Sequence, residues 1–413
     1  MWGAFFADAP VTDYDTANLL ERIDLTDFGG VARFSDLSLT TEGANVRVTA
    51  DNLDILIQGV QASSLDAGDF LFQGQNPLVF NVTPQTPMAE LQHLLDEAPP
   101  GAVINLAAGV YAVTETLRIM RSDISLIGAG EGQTILRTEI PDASAGETIL
   151  VQPRYLFNRL GTIAEDAAEG STAVTLQDGH GLAVGDLLYM FQANDAAWLA
   201  ATGNADWVDP ASLSPDADPE LSYLREMHSK IVAINGNTVT LAEPLPYTFQ
   251  SGVAQAAQDT FLSNVHLRNF SIQGSWGVAD PFFFADTKPE WASIAALEFD
   301  GVRDSSMRNI TITDPAAHGF KMQRNYEVTG EALTTVGAHN KDGSSGYQFY
   351  FQESFKNTFT GLTAFDGRHA VLFSSFSAEH YNTIEVLRTN RDINFHGSPD
   401  SNNTIFVDRM EQN

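Results

Sequence analysis

Asn357-Thr-Phe-Thr, Asn382-Thr-Ile-Glu and Asn403-Thr-Ile-Phe recur 25 and 21 residues apart, and Asn264-Val-His-Leu and Ser305-Ser-Met-Arg fit the same frame. A short strand-like run follows each. In most units a second apolar strand comes next: Ala296-Leu-Glu-Phe-Asp, Gly319-Phe-Lys-Met-Gln, Tyr347-Gln-Phe-Tyr-Phe, Ala370-Val-Leu-Phe-Ser and Asp392-Ile-Asn-Phe-His. A period in the twenties built of short strands predicts a solenoid, in which each turn buries its apolar face against its neighbours. Asn tolerates left-handed backbone, and its amide can bond to the next turn. Its recurrence therefore predicts a stacked asparagine ladder where the chain bends.

Upstream, residues 81–153 read as the opening of such a solenoid. Thr86-Pro87 predicts a helix start. Met88, Leu91, Leu94, Leu95 and Ala98 then recur at helical spacing, and Pro99-Pro100-Gly101 ends the run. A short amphipathic helix here would cover the open apolar end of the stack. The passage from Pro99 through Ala102-Val-Ile-Asn-Leu, Gly109-Val-Tyr, Leu117-Arg-Ile and Ile124-Ser-Leu-Ile-Gly-Ala-Gly to Thr134-Ile-Leu-Arg resembles the first coils of the pectin-lyase-like superfamily. That resemblance implies an all-β, right-handed parallel β-helix. It does not choose an activity, because lyases, hydrolases, epimerases and phage tailspikes share the fold.

Residues 1–80 form a block of different character, with 12 acidic side chains against three basic. Ile23-Asp-Leu-Thr-Asp-Phe-Gly-Gly, Asn45-Val-Arg-Val, Leu53-Asp-Ile-Leu-Ile and Leu65-Asp-Ala-Gly-Asp-Phe predict short strands between turns. Over about residues 20–73 this series resembles the segment that follows the calcium-binding repeats of RTX-type exported proteins, although the G-G-x-G-x-D repeats themselves are missing. The resemblance implies type I-like export to the extracellular side. It agrees with the lack of a secretory leader in Met1-Trp-Gly-Ala-Phe-Phe-Ala-Asp. Residues 81–413 are then the β-helix, interrupted at about 155–260 by a small β insertion with a hairpin turning at Asn235-Gly236. An acidic loop, Asp206 to Glu220, lies within it, near Trp198, Trp207 and Tyr223. The insertion is either a groove wall or an inert decoration. The pattern still runs at Asn403-Thr-Ile-Phe-Val, which predicts that the parent protein continues or that a partner caps this end.

The bulk composition narrows the partners. Acidic residues number 53 against 22 basic, a formal charge of -31, and such a surface repels nucleic acid and anionic membrane. No apolar run reaches membrane-spanning length, so no membrane insertion is expected. There is no Cys, which removes disulfides and thiolate metal sites. No organic cofactor is expected. Ca2+ is compatible with the acidity, but no ligand set follows from spacing.

Period-two alternation sorts the second strand of each coil into two faces. It places Phe320, Met322, Phe349, Leu372, Ile393 and Phe395 in one buried column. It places Glu298, Lys321, Gln348, Tyr350, His369, Asn394 and His396 outward, rimmed by Arg324, Arg368 and Arg391. A cationic, titratable stripe on so acidic a protein suits an acidic polysaccharide lying along the coils. β-Elimination of a uronate needs a carboxylate neutraliser, a base for the C5 proton and an acid for the leaving oxygen. The catalytic set expected is Lys321, Tyr350, His369 and Arg368: Tyr350 or His369 as base or acid, Lys321 with Arg368 as neutralisers. Arg324, Gln348, Arg391, Asn394, His396 and Glu298 would bind substrate. A polysaccharide lyase is favoured. The alternatives are a C5-epimerase, a glycoside hydrolase drawing on Asp314, Asp366 or Asp392, and a non-catalytic binding or adhesive module.

Overall fold

The computed structural model of the protein describes residues 10–51, 53–143, 146–203, 223–375, 377–396 and 399–411. The acidic loop from Asp206 to Glu220, with Trp207, lies outside them. Two parallel sheets wind together as a right-handed β-helix, the hand that parallel crossovers take. The longer sheet runs Val79–Val82, Ala102–Leu106, Ile124–Gly128, Val265–Gly274, Ser306–Thr313, Thr329–Val336, Thr358–Phe365, Thr383–Thr389 and Thr404–Met410. The second runs Leu117–Ile119, Ile149–Val151, Ala295–Arg303, His318–Tyr326, Tyr347–Phe355, His369–Phe373 and Ile393–Phe395.

The apolar alternation fills the space between the sheets. Leu297, Phe320, Phe349, Val371 and Ile393 stack in register, as do Phe299, Met322, Phe351, Phe373 and Phe395. Phe320 and Phe349 lie 5.2 Å apart and nearly parallel, and Phe351 and Phe373 lie 5.5 Å apart. One expectation fails here. Leu372 pairs with Tyr350 and Asn394, so it belongs to the outer column, while Val371 and Phe373 point in. All four residues from Ala370 to Phe373 are buried, which hides the phase of the strand from its hydrophobicity. A slip of one residue exchanges the faces. Phe395 points inward against Phe373 but remains 49% exposed.

The asparagine ladder is present, for a different reason than backbone handedness. At the ladder, positive φ falls on the residue just before each asparagine, at Lys356, Tyr381 and Asn402. Asn357, Asn382 and Asn403 follow them and use their amides. Asn382 Oδ1 accepts from the backbone N and the Nδ2 of Asn357, at 3.0 and 3.1 Å, and Asn403 Oδ1 does the same for Asn382. Asn264 has positive φ but is exposed and bonds Asp123 instead. Close coil contacts need glycine at Gly274, where a Cβ would lie 1.9 Å from the backbone oxygen of Asp314.

The cap helix spans Met88–Glu97, one residue later than the sequence suggests, and buries Leu91, Leu94 and Leu95 on the first coil. Thr86 Oγ1 accepts from the backbone N of Thr83 rather than capping the helix. Residues 10–72 have their own core, including Val46, Val48, Ile55, Ile57, Phe70 and Phe72. This unit docks on the cap. Leu19 and Leu20 pack on the β-helix core, Leu19 N donates to Glu90 at 2.7 Å, and Arg22 lies 4.4 Å over Phe80. Val79–Val82, counted with the first block from sequence, pairs with the strand Ala102–Leu106 of the coils. The insertion forms a 6-stranded antiparallel sheet. Its core takes in Tyr326 and Phe355 from the ends of coil strands, so it is fused to the β-helix along one side.

Candidate active site

The outer face of the second sheet is a floor running along the coils between two rims, and its acids are buried, Glu298 at 6% and Asp300 at 3% exposure. The insertion stands at the C-terminal ends of its strands. At their N-terminal ends, residues 275–294 and 338–346 form the opposite rim, tied by Ser345 Oγ to Ala292 O at 2.7 Å. Each strand then sets its odd and even residues by pleat alone. Glu298, Lys321, Tyr350, Leu372 and Asn394 make one floor column, and Asp300, Gln323 and Gln352 make the next. Beyond these the strands bend at Gly301, Arg324 and Glu353, all with positive φ between 47 and 64°. For the two non-glycine residues this conformation costs about 1–2 kcal/mol each, and such strain often marks functional sites.

The floor is rich in acids held in contrasting states. Lys321 Nζ sits 2.9 Å from Glu298 Oε1. Burial pushes the Glu298 carboxyl up; Lys321 offsets this only in part, Glu147 and Asp300 add to it, and the result is about 7. Burial pulls the Lys321 ammonium down, and Glu298 more than restores it, so it stays above the ordinary lysine value. Two residues on, Asp300 is gripped by the Arg324 fork, Nε to Oδ1 and Nη2 to Oδ2, both at 2.7 Å. Such a bidentate bond suits a carboxylate. Tyr350 lies beside Lys321, 5.8 Å from ring centre to Nζ, and its hydroxyl meets Ser374 Oγ at 3.0 Å. Burial raises its phenol above the ordinary tyrosine value.

Toward the insertion the acids are more deeply buried. Glu353 is pushed up to about 7 by burial, against the pull of Arg324. Glu226 comes from the insertion, is raised well above the usual range by burial and by Glu353, and accepts from Tyr189 OH at 2.9 Å. Glu379 N donates to Asp400 Oδ1 at 3.0 Å, which sets the two carboxyls side by side. Burial and the neighbouring Asp400 raise Glu379 strongly, and burial raises Asp400 to about 6. These four acids had no signal in the sequence. Glu353 sits at the bend that breaks the alternation, and Glu226 belongs to a different sheet.

The residues expected from sequence divide into three groups. Glu298, Lys321, Tyr350 and Arg324 converge on the floor. Arg368 and His369 gather at the other edge, at the start of the strand His369–Phe373, and the His396 ring reaches them from just past the end of Ile393–Phe395. His369 aligns with Tyr347, not with Lys321, because of the same one-residue shift that turned Leu372 outward. Asn394 stays in the floor column beyond Leu372. Gln348 and Arg391 are corrections. Gln348 is 1% exposed and donates to the backbone oxygens of Thr335 and Phe365, bracing a corner between the sheets. Arg391 bonds Gly367 O at 2.6 Å and Pro281 O at 2.8 Å, anchoring the 275–294 rim from below. The aspartates weighed for hydrolysis are also occupied apart from one another: Asp314 by Ala279 N, Asp366 by Asn390 Nδ2, and Asp392 by His369 Nδ1. Lys356 pairs with Glu243 and Glu327, joining the insertion to the coils. Among the described residues, no three His, Asp or Glu side chains are placed to hold a metal ion.

Comparison with solved structures supports the fold. The tailspike gp61 of Pseudomonas phage phi297 matches over 72% of this chain and 44% of its own, with a TM-score of 0.51 at 15% identity. The tailspike gp49 of Pseudomonas phage LKA1 matches over 74% and 51%, with a TM-score of 0.46, also at 15% identity. The chain thus spans about half the length of these tailspikes. A family 28 exopolygalacturonase of Yersinia enterocolitica matches over 85% and 60%, with a TM-score of 0.29 at 11% identity. No protein-family model and no curated protein sequence matches the chain.

Proposed function

We propose that this chain is a carbohydrate-active enzyme that hydrolyses glycosidic bonds of a polysaccharide lying in the groove, in an extracellular setting. Glu298 is the proton donor to the leaving oxygen, and Asp300 is the carboxylate partner. One observation carries this reading. Two neighbouring outward carboxyls on a single strand have opposite environments: one is pushed by burial to about 7, and the other is clasped through both oxygens by Arg324. Glycoside hydrolysis uses such a pair, one acid kept protonated near neutrality and one carboxylate. Residues i and i+2 on a strand place their Cα atoms roughly 7 Å apart on one face, which sets both carboxyls on the same stretch of floor.

Elimination, favoured from sequence, asks more of these side chains than their surroundings give. A base must be deprotonated at working pH. Tyr350, one of the two bases expected, is raised by burial and holds its proton more firmly than in water.

The test is to incubate the full chain with a panel of neutral and acidic polysaccharides, following reducing ends alongside absorbance of unsaturated uronate ends. Hydrolysis predicts reducing ends without new absorbance. It also predicts a loss of roughly 10²–10⁴-fold in Glu298→Gln and Asp300→Asn. New absorbance that vanishes in Tyr350→Phe would establish elimination instead. Retention on an immobilised polymer without any cleavage would make the groove a binding site only.

A further inference from the structure

At the far edge of the same groove, three cation-forming groups meet. His369 stacks on Tyr347 at 5.6 Å, His396 stands edge-on to both rings at 6.0 and 6.1 Å, and Arg368 lies next to His369 in the chain. The imidazole of His369 is pinned by its Nδ1, 2.8 Å from Asp392 Oδ1, which turns its other nitrogen away from that carboxylate. Arg368 is tethered through Nη1 to Gly343 O. Burial lowers the His396 imidazole; His369 and Arg368 lower it further, and Asp392 offsets them only in part. Arg368 is thus the standing positive charge at this spot, on a chain of formal charge -31. Arg391 and Lys341 add cations bonded to backbone oxygens, while Asp366 faces Arg391 and Asn390, and Asp392 faces His369.

We propose that Arg368, His369 and His396 form a subsite that binds the carboxylate of an acidic sugar residue. This rests on the reading of the groove as a polysaccharide site and deepens it by naming the substrate class. His369 lies three coils beyond Glu298 along the second sheet, a distance of about 14 Å at the usual strand spacing. The polymer then places a carboxylate on the cationic edge while its scissile bond lies over Glu298 and Asp300. This separates recognition of charge from the point of cleavage. A charged acceptor held between a guanidinium and imidazoles gains charge-assisted bonds that a neutral sugar does not.

The experiment is calorimetric titration of the full chain with tri-galacturonate, with its carboxyl-reduced neutral counterpart and with a sulfated trisaccharide. The proteins compared are the wild type, Arg368→Ala, Arg368→Lys and His396→Ala. The inference expects tri-galacturonate to bind at least about tenfold tighter than its reduced form, and to lose that margin in Arg368→Ala and His396→Ala. Arg368→Lys should keep part of it, which guards against loss by misfolding. Equal affinity for the charged and reduced sugars, or unchanged affinity in Arg368→Ala, overturns the subsite. A sulfated sugar bound as tightly, with the same dependence on Arg368, overturns the assignment to a carboxylate. The two readings fail separately. Uronate binding that needs Arg368 without any release of reducing ends removes the hydrolytic reading and leaves the subsite. Cleavage of neutral glycans with no dependence on Arg368 does the reverse.

Discussion

Replacing Asn382 by Ala tests the ladder that holds successive coils in register. Asn382 is fully buried. Its Oδ1 accepts from Asn357 N at 3.0 Å and from Asn357 Nδ2 at 3.1 Å; its Nδ2 donates to Ser354 O at 2.8 Å and to Asn403 Oδ1 at 3.0 Å. Alanine removes all four bonds. It leaves the Asn357 backbone N–H inside the coil with no acceptor, and Asn357 Nδ2 keeps only a long contact of 3.5 Å to Asn325 O. A buried donor stranded in this way costs about 1–3 kcal/mol, and each ordinary bond lost adds about 1 kcal/mol. The expected total is about 4–6 kcal/mol, a large share of the stability of a typical domain. Asn264→Ala is the control. That residue begins the same sequence motif but is exposed, and its side chain bonds Asp123 at the surface, so the expected cost is about 1 kcal/mol, mainly from its left-handed backbone. Urea unfolding followed by circular dichroism gives both midpoints. A shift below about 0.5 kcal/mol in Asn382→Ala, or equal shifts in the two variants, would refute the claim that the ladder locks the coils.

Two further stability outcomes follow from the buried acids and the close coil contacts. Glu298 and Glu353 near 7, Asp400 near 6, and Glu226 and Glu379 above their usual range hold protons in the folded state that the unfolded chain releases. Their contribution is fully present below the ordinary carboxylate value of about 4.5 and is lost as pH rises toward about 7. The melting temperature should therefore be lower at pH 8 than at pH 5, and Glu379→Gln should flatten the difference; a melting temperature that rises over this range would contradict the assignment. Gly274→Ala drives a Cβ into the backbone oxygen of Asp314 and should cost at least about 2 kcal/mol in chemical unfolding, because neither partner is a flexible side-chain end. A neutral result would mean that the two coils can separate locally.

The sequence by itself determined the β-helix. Its Asn-Thr-Ile and Asn-Thr-Phe repeats, the apolar positions at period two and the amphipathic segment Met88–Glu97 are local patterns, and each local pattern admits one way of burying its apolar face. It also placed Glu298, Lys321 and Tyr350 on a common outer face, because the pleat fixes the direction of each side chain once a neighbour is known to point in. Where burial is continuous, as from Ala370 to Phe373, alternation loses its phase, so Leu372 and His369 were assigned to the wrong columns. Gln348 and Arg391 looked like ligand-binding side chains because their partners are backbone oxygens at distant positions, which no spacing reveals. Only the tertiary structure decided the electrostatic character of the site. The raised states of Glu298, Glu353 and Glu379 come from the burial that folding imposes on them. The bond of Arg324 to Asp300 forms only when two coils stack. A carboxyl's identity is written in the chain; its proton affinity is set by the burial and the charges that folding brings to it.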